Sequence, residues 1–548
     1  MSKFKRQPIS PPRGPERADD KLISRAFDLM ERGLHAQALT ILDGLLKKNP
    51  RHYAAALNRG VCLSSVGRFD EAAKQFYSVH QTAPENLDVL QLCGESHLAA
   101  GYFDMAIKFL KRCIRAKPEE VSNWRNLSIA AGKSGQLTEA VMYATQALSL
   151  APLDATLYVN LGTALLSLNR IDEAEQAYET ALAIDPTNLT ALGNLATVLD
   201  KRGDYLNAIE RYDSTYLRMD PNSQEAKELL YRSSFPYLAS GQLREGWRRY
   251  DYGFFPTHGT SRHPKRKFSV PQWTGEPLRE QDRLLIWGEQ GLGDEFWFFG
   301  ILNEVRERCK HIIVECQPRL VSLFQRSFPD VHVRASNLSP MATSDYDLHI
   351  PAGSLVGIFR NHIDDFKKFK PYIRPDATRS KNFSVRLQPY AGKKLVGICW
   401  RSGKVNAQRI QNYLHLDELS EVLTNPNYAI VNLQYGECEE ELLRAEDALG
   451  VKIIRWHDVD LKDDQEALAA LMSELDVVLS APTAVAQLAI ALGTPLVYFR
   501  ARNWSFLGQE TFPWTDRITC VIPKNTDRSK AFIPEVVDAV ERIAVRSK

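Results

Sequence analysis

The chain has 548 residues, 44% of them hydrophobic and 25% charged, with a net charge of +2. That length exceeds a single domain, the composition is that of a soluble globular protein, and so small and dispersed a charge argues against nucleic acid as the main ligand. The eight cysteines stand singly with no C-x-x-C spacing, which argues against a zinc knuckle or a disulfide framework and for a reducing cytoplasm.

In chain order, the opening MSKFKRQPISPPRGPERADD is Pro-rich and basic without an apolar core. It reads as neither signal peptide nor membrane span, and residues 1–18 are expected to be a disordered tail. From Asp19 a strict period begins. Pro50, Pro84, Pro118, Pro152 and Pro186 step by 34 residues, and Pro221 follows one residue late. Ala38, Ala72, Ala106, Ala140, Ala174 and Ala208 keep the same step, as do Gly33, Gly67, Gly101, Gly135 and Gly203. Apolar residues within each unit recur at three and four positions, the spacing of helices that bury one face. Each unit reads as helix, turn, helix and a Pro-marked break. This pattern resembles tetratricopeptide (TPR) repeats, which stack into a solenoid whose concave face holds another polypeptide. Residues 19–255 are therefore expected to form a superhelix of six to seven helix pairs. The seventh, from Gln224 to about Tyr250, is irregular, with Phe235, Pro236 and Trp247.

Asn58, Asn126, Asn160 and Asn194 recur at one position of the first helix in each pair, with Leu92 breaking the series. A primary amide carries both donors and an acceptor, so such a ladder can pair with peptide groups whatever the client sequence. The alternative is that Asn is tolerated there and bonds neighbouring helices.

Residues 256–282 read as a solvated linker, with a nucleic-acid patch as the weaker reading of Arg262, Lys265, Arg266 and Lys267. Beyond it, short β-branched runs alternate with helical stretches: RLLIW from Arg283, HIIVE from His311, LVGICW from Leu395, AIVNLQ from Ala429, DVVLS from Asp476 and PLVYF from Pro495. That alternation predicts parallel α/β sheets in two Rossmann-like halves, 283–390 and 391–548, with a ligand cleft at the strand carboxyl ends.

Three strand ends carry polar constellations. In LLIWGEQGLGDEFWF, Gly288, Gly291 and Gly293 permit close backbone approach, and Asp294 is either a general base or a helix cap. In CWRSGKVNAQRIQNYL, Arg401, Lys404 and Arg409 gather cations suited to a diphosphate, or stand as surface charges. In LSAPTAVAQLAIALGTP, small residues leave the N–H groups near Thr483, Ala484 and Val485 open for a phosphate, or form a plain turn capped by Thr483.

With these residues in view, the chain from Asp19 onward resembles bacterial TPR-containing glycosyltransferases of GT-B fold, related to heptosyltransferases and distantly to O-GlcNAc transferase. The most specific pieces are PQWTGEPL, GEQGLGDE, CWRSG, NLQYGECEEEL, DLKDD and SAPTAVAQLAIALGTP. NWSFLGQETFPW is similar to a segment of members associated with flagellin modification. The resemblance implies an inverting protein O-glycosyltransferase that uses a nucleotide sugar, a polypeptide acceptor such as flagellin and no metal. A glycan or lipid-linked acceptor is one alternative, and a non-catalytic TPR adaptor another. It implies Asp294 as catalytic base, the loop Arg401–Arg409 on the phosphate and an acceptor-binding Asn ladder like that of O-GlcNAc transferase, while Gln434 and Tyr435, at a strand end on the donor side, either contact the nucleotide base or serve the fold. Trp504, Gly508 and Glu510 are expected at the lip of the cleft, with Trp504 and Trp514 as core aromatics the alternative. Heptosyltransferases carry D-T-x-x-x-H where this chain has Pro482, Thr483 and Gln487, a departure that argues against a heptose donor. UDP-linked and CMP-linked donors both stay open.

Overall fold

The computed structural model describes residues 18–255, 262–336, 345–403, 413–499, 502–522 and 532–546. The expected tail therefore lies outside the described residues, apart from Ala18. The chain forms two compact units, Met1–Val198 and Leu199–Lys548.

The first unit is helical throughout its described part, from α1 (Ala18–Glu31) to α10 (Ile171–Ile184) and on into α11 (Leu189–Arg202). Its period has a packing cause. Ala38, Ala72, Ala106, Ala140 and Ala174 are fully buried where paired helices cross. A Cβ on Gly60 would stand 2.5 Å from the Phe76 ring, and one on Gly162 2.6 Å from Tyr178. The turns within the first four helix pairs are closed by a glycine in the left-handed region, from Gly33 at φ +74° to Gly135 at +86°. The glycine series skips position 169, yet the backbone does not: Asn169 takes φ +62°. Asparagine tolerates that conformation better than other side-chain-bearing residues, so the gap is chemical rather than structural.

The second unit opens with the end of α11, then α12 (Tyr205–Tyr216), α13 (Gln224–Ala239) and α14 (Leu243–Tyr250). The last of these helices share a core with the first sheet. Tyr231, Trp247 and Tyr250 are buried in the same core as Trp273, Leu284, Ile286 and Phe296. Aromatic bodies of that size need more cover than one helix pair supplies, and the first sheet supplies it. The expected linker is corrected. Arg262 is completely buried and Trp273 is 1% exposed, with Trp273 N–H donating to the His349 carbonyl at 2.8 Å.

Two wholly parallel sheets follow. β1 (Arg283–Trp287), β2 (His311–Cys316), β3 (His332–Ala335) and β4 (Leu348–Pro351) pair in the order β3-β2-β1-β4. β5 (Lys394–Cys399), β6 (Tyr428–Asn432), β7 (Val477–Ser480), β8 (Leu496–Phe499) and β9 (Ile518–Val521) pair in the order β6-β5-β7-β8-β9. In each, the first strand in sequence lies inside the sheet, so the chain reverses direction beside β1 and beside β5. The helix Ala377–Leu387, placed by sequence with the first half, packs on the helix Gln465–Met472, where Arg379 pairs with Asp464 at 2.7 Å. Asp464 also caps that second helix by accepting from Ala467 N–H. Among the described residues no helix is long and apolar enough to cross a membrane.

Candidate functional site

The turn after β1 leads into α15 (Leu292–Phe298), which carries the acid singled out by sequence. Asp294 is the third residue of this helix, and its Oδ2 accepts the Gly291 N–H at 3.1 Å. The carboxyl is half-buried. Burial, then the charge of Glu289, push its pKa up to about 6, against the opposing hydrogen bond from Gly291. A carboxylate poised there is ionised at neutral pH and more basic than an ordinary aspartate.

The glycines serve packing rather than an open cradle. A Cβ on Gly288 would collide with the Glu295 carboxylate, which already fills that space. Glu295 is itself buried, its Oε2 accepting Gln317 N–H at 3.0 Å, and burial pushes its pKa up to about 8. Gly291 is extended at φ −138°, a conformation open to any residue. Gly293 lies at the crossing with the helix Ala484–Leu492: a Cβ there would stand 3.5 Å from Ala484 Cα and from Gln487 Cγ.

The first and third constellations are thus brought together. Asp294 is one residue from the contact with Ala484, at the N-terminus of a nine-residue helix with no acidic residue in its first turn. Thr483 is its N-cap but makes no side-chain cap bond; its Oγ1 lies 3.2 Å from Ser480 Oγ and 3.6 Å from Cys399 Sγ. Ala484 is half-buried and Val485 buried. One turn on, Gln487 is buried with its Oε1 unpartnered, while its Nε2 reaches Tyr498 Oη at 3.5 Å.

The second constellation is corrected in part. Arg401 is not an open cation: its Nε donates to Glu441 Oε1 at 3.0 Å, and its Nη2 donates both to Glu441 and, at 2.7 Å, to the Glu437 carbonyl. Gln434 is 1% exposed and spent on the fold, with Oε1 accepting Arg401 N–H at 3.0 Å and Nε2 donating to the Tyr435 carbonyl at 3.1 Å. Lys404 and Arg409 lie outside the described residues. Beside the carboxyl end of β6, a cleft of about 270 Å³ is lined by Tyr435, Trp456, His457 and Asp460. Sequence reasoning passed over Trp456 and His457, since RWHDVD shows no spacing that separates them from ordinary loop residues.

The asparagine series is uneven. Asn58 is buried, with Nδ2 donating to the Ala54 carbonyl of its own helix at 2.9 Å, so it is not an open rung. Asn126, Asn160 and Asn194 are half-buried. Asn160 Nδ2 has no partner, and Asn194 Nδ2 lies 3.4 Å from Thr163 Oγ1. Trp504 is packed rather than poised at a lip: it stacks on Trp297 of α15, centroids 5.5 Å apart, and meets Trp247 edge-on at 6.1 Å.

Sequence comparison agrees with the helical architecture. Tetratricopeptide repeat models match residues 25–88, 125–188, 65–128 and 177–210. Protein FlbA of Caulobacter vibrioides is 33% identical over 301 residues, covering 52% of this chain and 50% of that protein. BBSome complex member BBS4 of Mus musculus is 30% identical over 106 residues, covering 19% and 20%. The chain thus spans half or less of the length of these curated relatives. Similar solved structures include a tetratricopeptide repeat protein of Parabacteroides merdae ATCC 43184, at 15% identity and TM-score 0.39, covering 42% of this chain and 91% of that one. YrrB, described as a TPR protein with an unusual peptide-binding site, is 19% identical with TM-score 0.29, covering 31% and 88%. By the repeat models the chain carries TPR repeats, which suit a polypeptide partner.

Proposed function

We propose that this protein is a protein O-glycosyltransferase of GT-B type, taking a sugar from a nucleotide-sugar donor to a Ser or Thr hydroxyl of a polypeptide engaged by the TPR repeats. The observation that carries this reading is the meeting of a carboxylate of raised basicity, Asp294, with the N-terminus of the helix Ala484–Leu492 at the carboxyl ends of two parallel sheets. Asp294 takes the hydroxyl proton as the acceptor oxygen attacks the anomeric carbon. The bond from that carbon to the donor phosphate breaks, and the N–H groups of Ala484 and Val485 stabilise the departing phosphate. Arg401 drops out of this step because Glu441 holds it. Lys404 and Arg409 stay as the cations assigned to phosphate by sequence, and the cleft at Tyr435 and Trp456 is the place for the base of a UDP- or CMP-linked donor. Flagellin is the acceptor implied by NWSFLGQETFPW.

The test is intact-mass analysis of the host's flagellin with and without this gene. Loss of discrete mass increments supports the reading, and the increment names the sugar. Unchanged flagellin removes that acceptor. A non-catalytic TPR adaptor is the second reading, favoured by the closure of Arg401 on Glu441 and by the departures at Pro482 and Gln487. Saturable binding of a sugar nucleotide, weakened by Arg409→Ala, excludes it.

A further inference from the structure

We infer that Arg262 is a positioning residue for the Asp294 carboxyl, acting through Glu289 and the turn that follows β1. Calling Asp294 the base rests on the transferase reading; its placement by Arg262 does not. Both side chains of the Arg262–Glu289 pair are fully buried. Arg262 Nε donates to Glu289 Oε2 at 2.7 Å, and its Nη2 donates to Glu289 Oε1 as well. The same guanidinium reaches Asp251 Oδ1 at 2.9 Å and Ser354 Oγ at 3.0 Å, and lies 4.3 Å above the Phe254 ring centroid and 4.6 Å above that of Tyr250. Glu289 also accepts Gly353 N–H at 2.9 Å.

The next residue is gripped from the same side. Gln290 is held at φ +64°, a left-handed conformation uncommon for a residue with a side chain. Its N–H donates to the His263 carbonyl at 2.6 Å and its Nε2 to Tyr250 Oη at 2.5 Å. Tyr250, Arg262 and His263 therefore clamp two consecutive residues of the turn that delivers Asp294. A buried ion pair is weak evidence for stability, since apolar residues of similar volume often replace one without loss. Here its position gives it a second consequence. The charged and titratable groups that bear on Asp294 are Glu289 and Glu295 from its own turn and helix, His263 from the clamp, Tyr231 from α13 and Tyr250 from α14. The side chains from the helix Ala484–Leu492 at this crossing, Thr483 and Gln487, are neutral. Glu289 is the strongest charge acting on Asp294, and Arg262 fixes where that charge stands.

The test uses the full chain with Arg262→Lys and with the double variant Arg262→Met/Glu289→Met, each compared with the same chain carrying Asp294→Asn in addition. Two quantities are read. One is hydrogen exchange of the peptide spanning residues 288–295. The other is the pH at which the difference in melting temperature between each chain and its Asp294→Asn counterpart is half developed. The double variant should move that midpoint about half a pH unit below its wild-type value and speed exchange about tenfold. Arg262→Lys keeps a cation but not the fork, so it should hold the midpoint near wild type while exchange still quickens. An unchanged midpoint and unchanged exchange in the double variant overturn the inference. If the double variant fails to fold, unchanged exchange in Arg262→Lys overturns it alone. Neither readout involves a sugar donor, so a wild-type protein that transfers no sugar refutes the transferase reading and leaves this one standing.

Discussion

The turn after β1 and the turn after β5 begin alike, each leaving a parallel strand for a short segment with a charged side chain, yet they resolve their charges in opposite ways. After β5, Arg401 meets Glu441 and the Glu437 carbonyl, and Gln434 closes on the Arg401 backbone; that side is electrostatically settled. After β1, Glu289 is settled by Arg262, whereas for Asp294 burial and the charge of Glu289 outweigh the backbone N–H groups of Gly291 and Asp294 and the effect of His263. The fold thus satisfies one carboxylate completely and leaves another raised five residues on, and the proposed role of Asp294 rests on that difference.

The sharpest way to break that contrast is Asp294→Asn. General-base loss should lower transfer by about 10²–10⁴-fold, measured as product mass per unit time. The same variant should be more stable than wild type at neutral pH. Asp294 has a folded pKa of about 6 against an ordinary value of 3.8, so the folded state binds the proton more tightly. Wild-type stability therefore falls as pH rises from about 4 to 6 and stays lowered above that window. The advantage of the Asn variant should reach at most about 3 kcal/mol above pH 6 and vanish near pH 4, read from melting curves across that range.

Next in size is Gly288→Ala, which sets a methyl group against the Glu295 carboxylate and should cost about 1–3 kcal/mol in chemical denaturation. Adding Glu295→Ala should recover part of that loss, because the two then no longer compete for one space. On the settled side, Arg401→Ala should cost about 1–2 kcal/mol of stability and leave sugar-nucleotide affinity by calorimetry within a few-fold of wild type. A large affinity loss there would make the turn after β5 part of the site. The smallest effect is expected at Asn169→Gly, a gain of roughly 0.5 kcal/mol from relieving φ +62°, seen as a slight rise in melting temperature.

The same contrast accounts for what the sequence discloses. Strand-end position and small residues point to Asp294 and to Thr483–Val485, because Gly and Ala are legible as close approaches wherever they recur beside apolar runs. Arg262 is not legible: its partner Glu289 is 27 residues away across a basic, Pro-containing stretch that composition describes as solvated. Arg401 misleads for the same reason, since Glu441 lies 40 residues on. Ion pairs between distant segments leave no periodic trace, whereas burial does. The six strands expected from β-branched runs are present, while β3, β4 and β9 escape: β3 carries the ion-paired Arg334, β4 ends in Pro351, and β9 is a half-buried edge. The asparagine period is real, but period alone does not tell an open amide from one such as Asn58 that has turned back on its own helix.

The role of Asp294 as the base of a sugar transfer is tested most directly by the intact mass of purified flagellin after incubation with UDP- or CMP-linked sugars and either the wild-type protein or Asp294→Asn. Discrete mass increments are expected with the wild type and none with the variant, which remains folded. Equal increments with both would contradict that role.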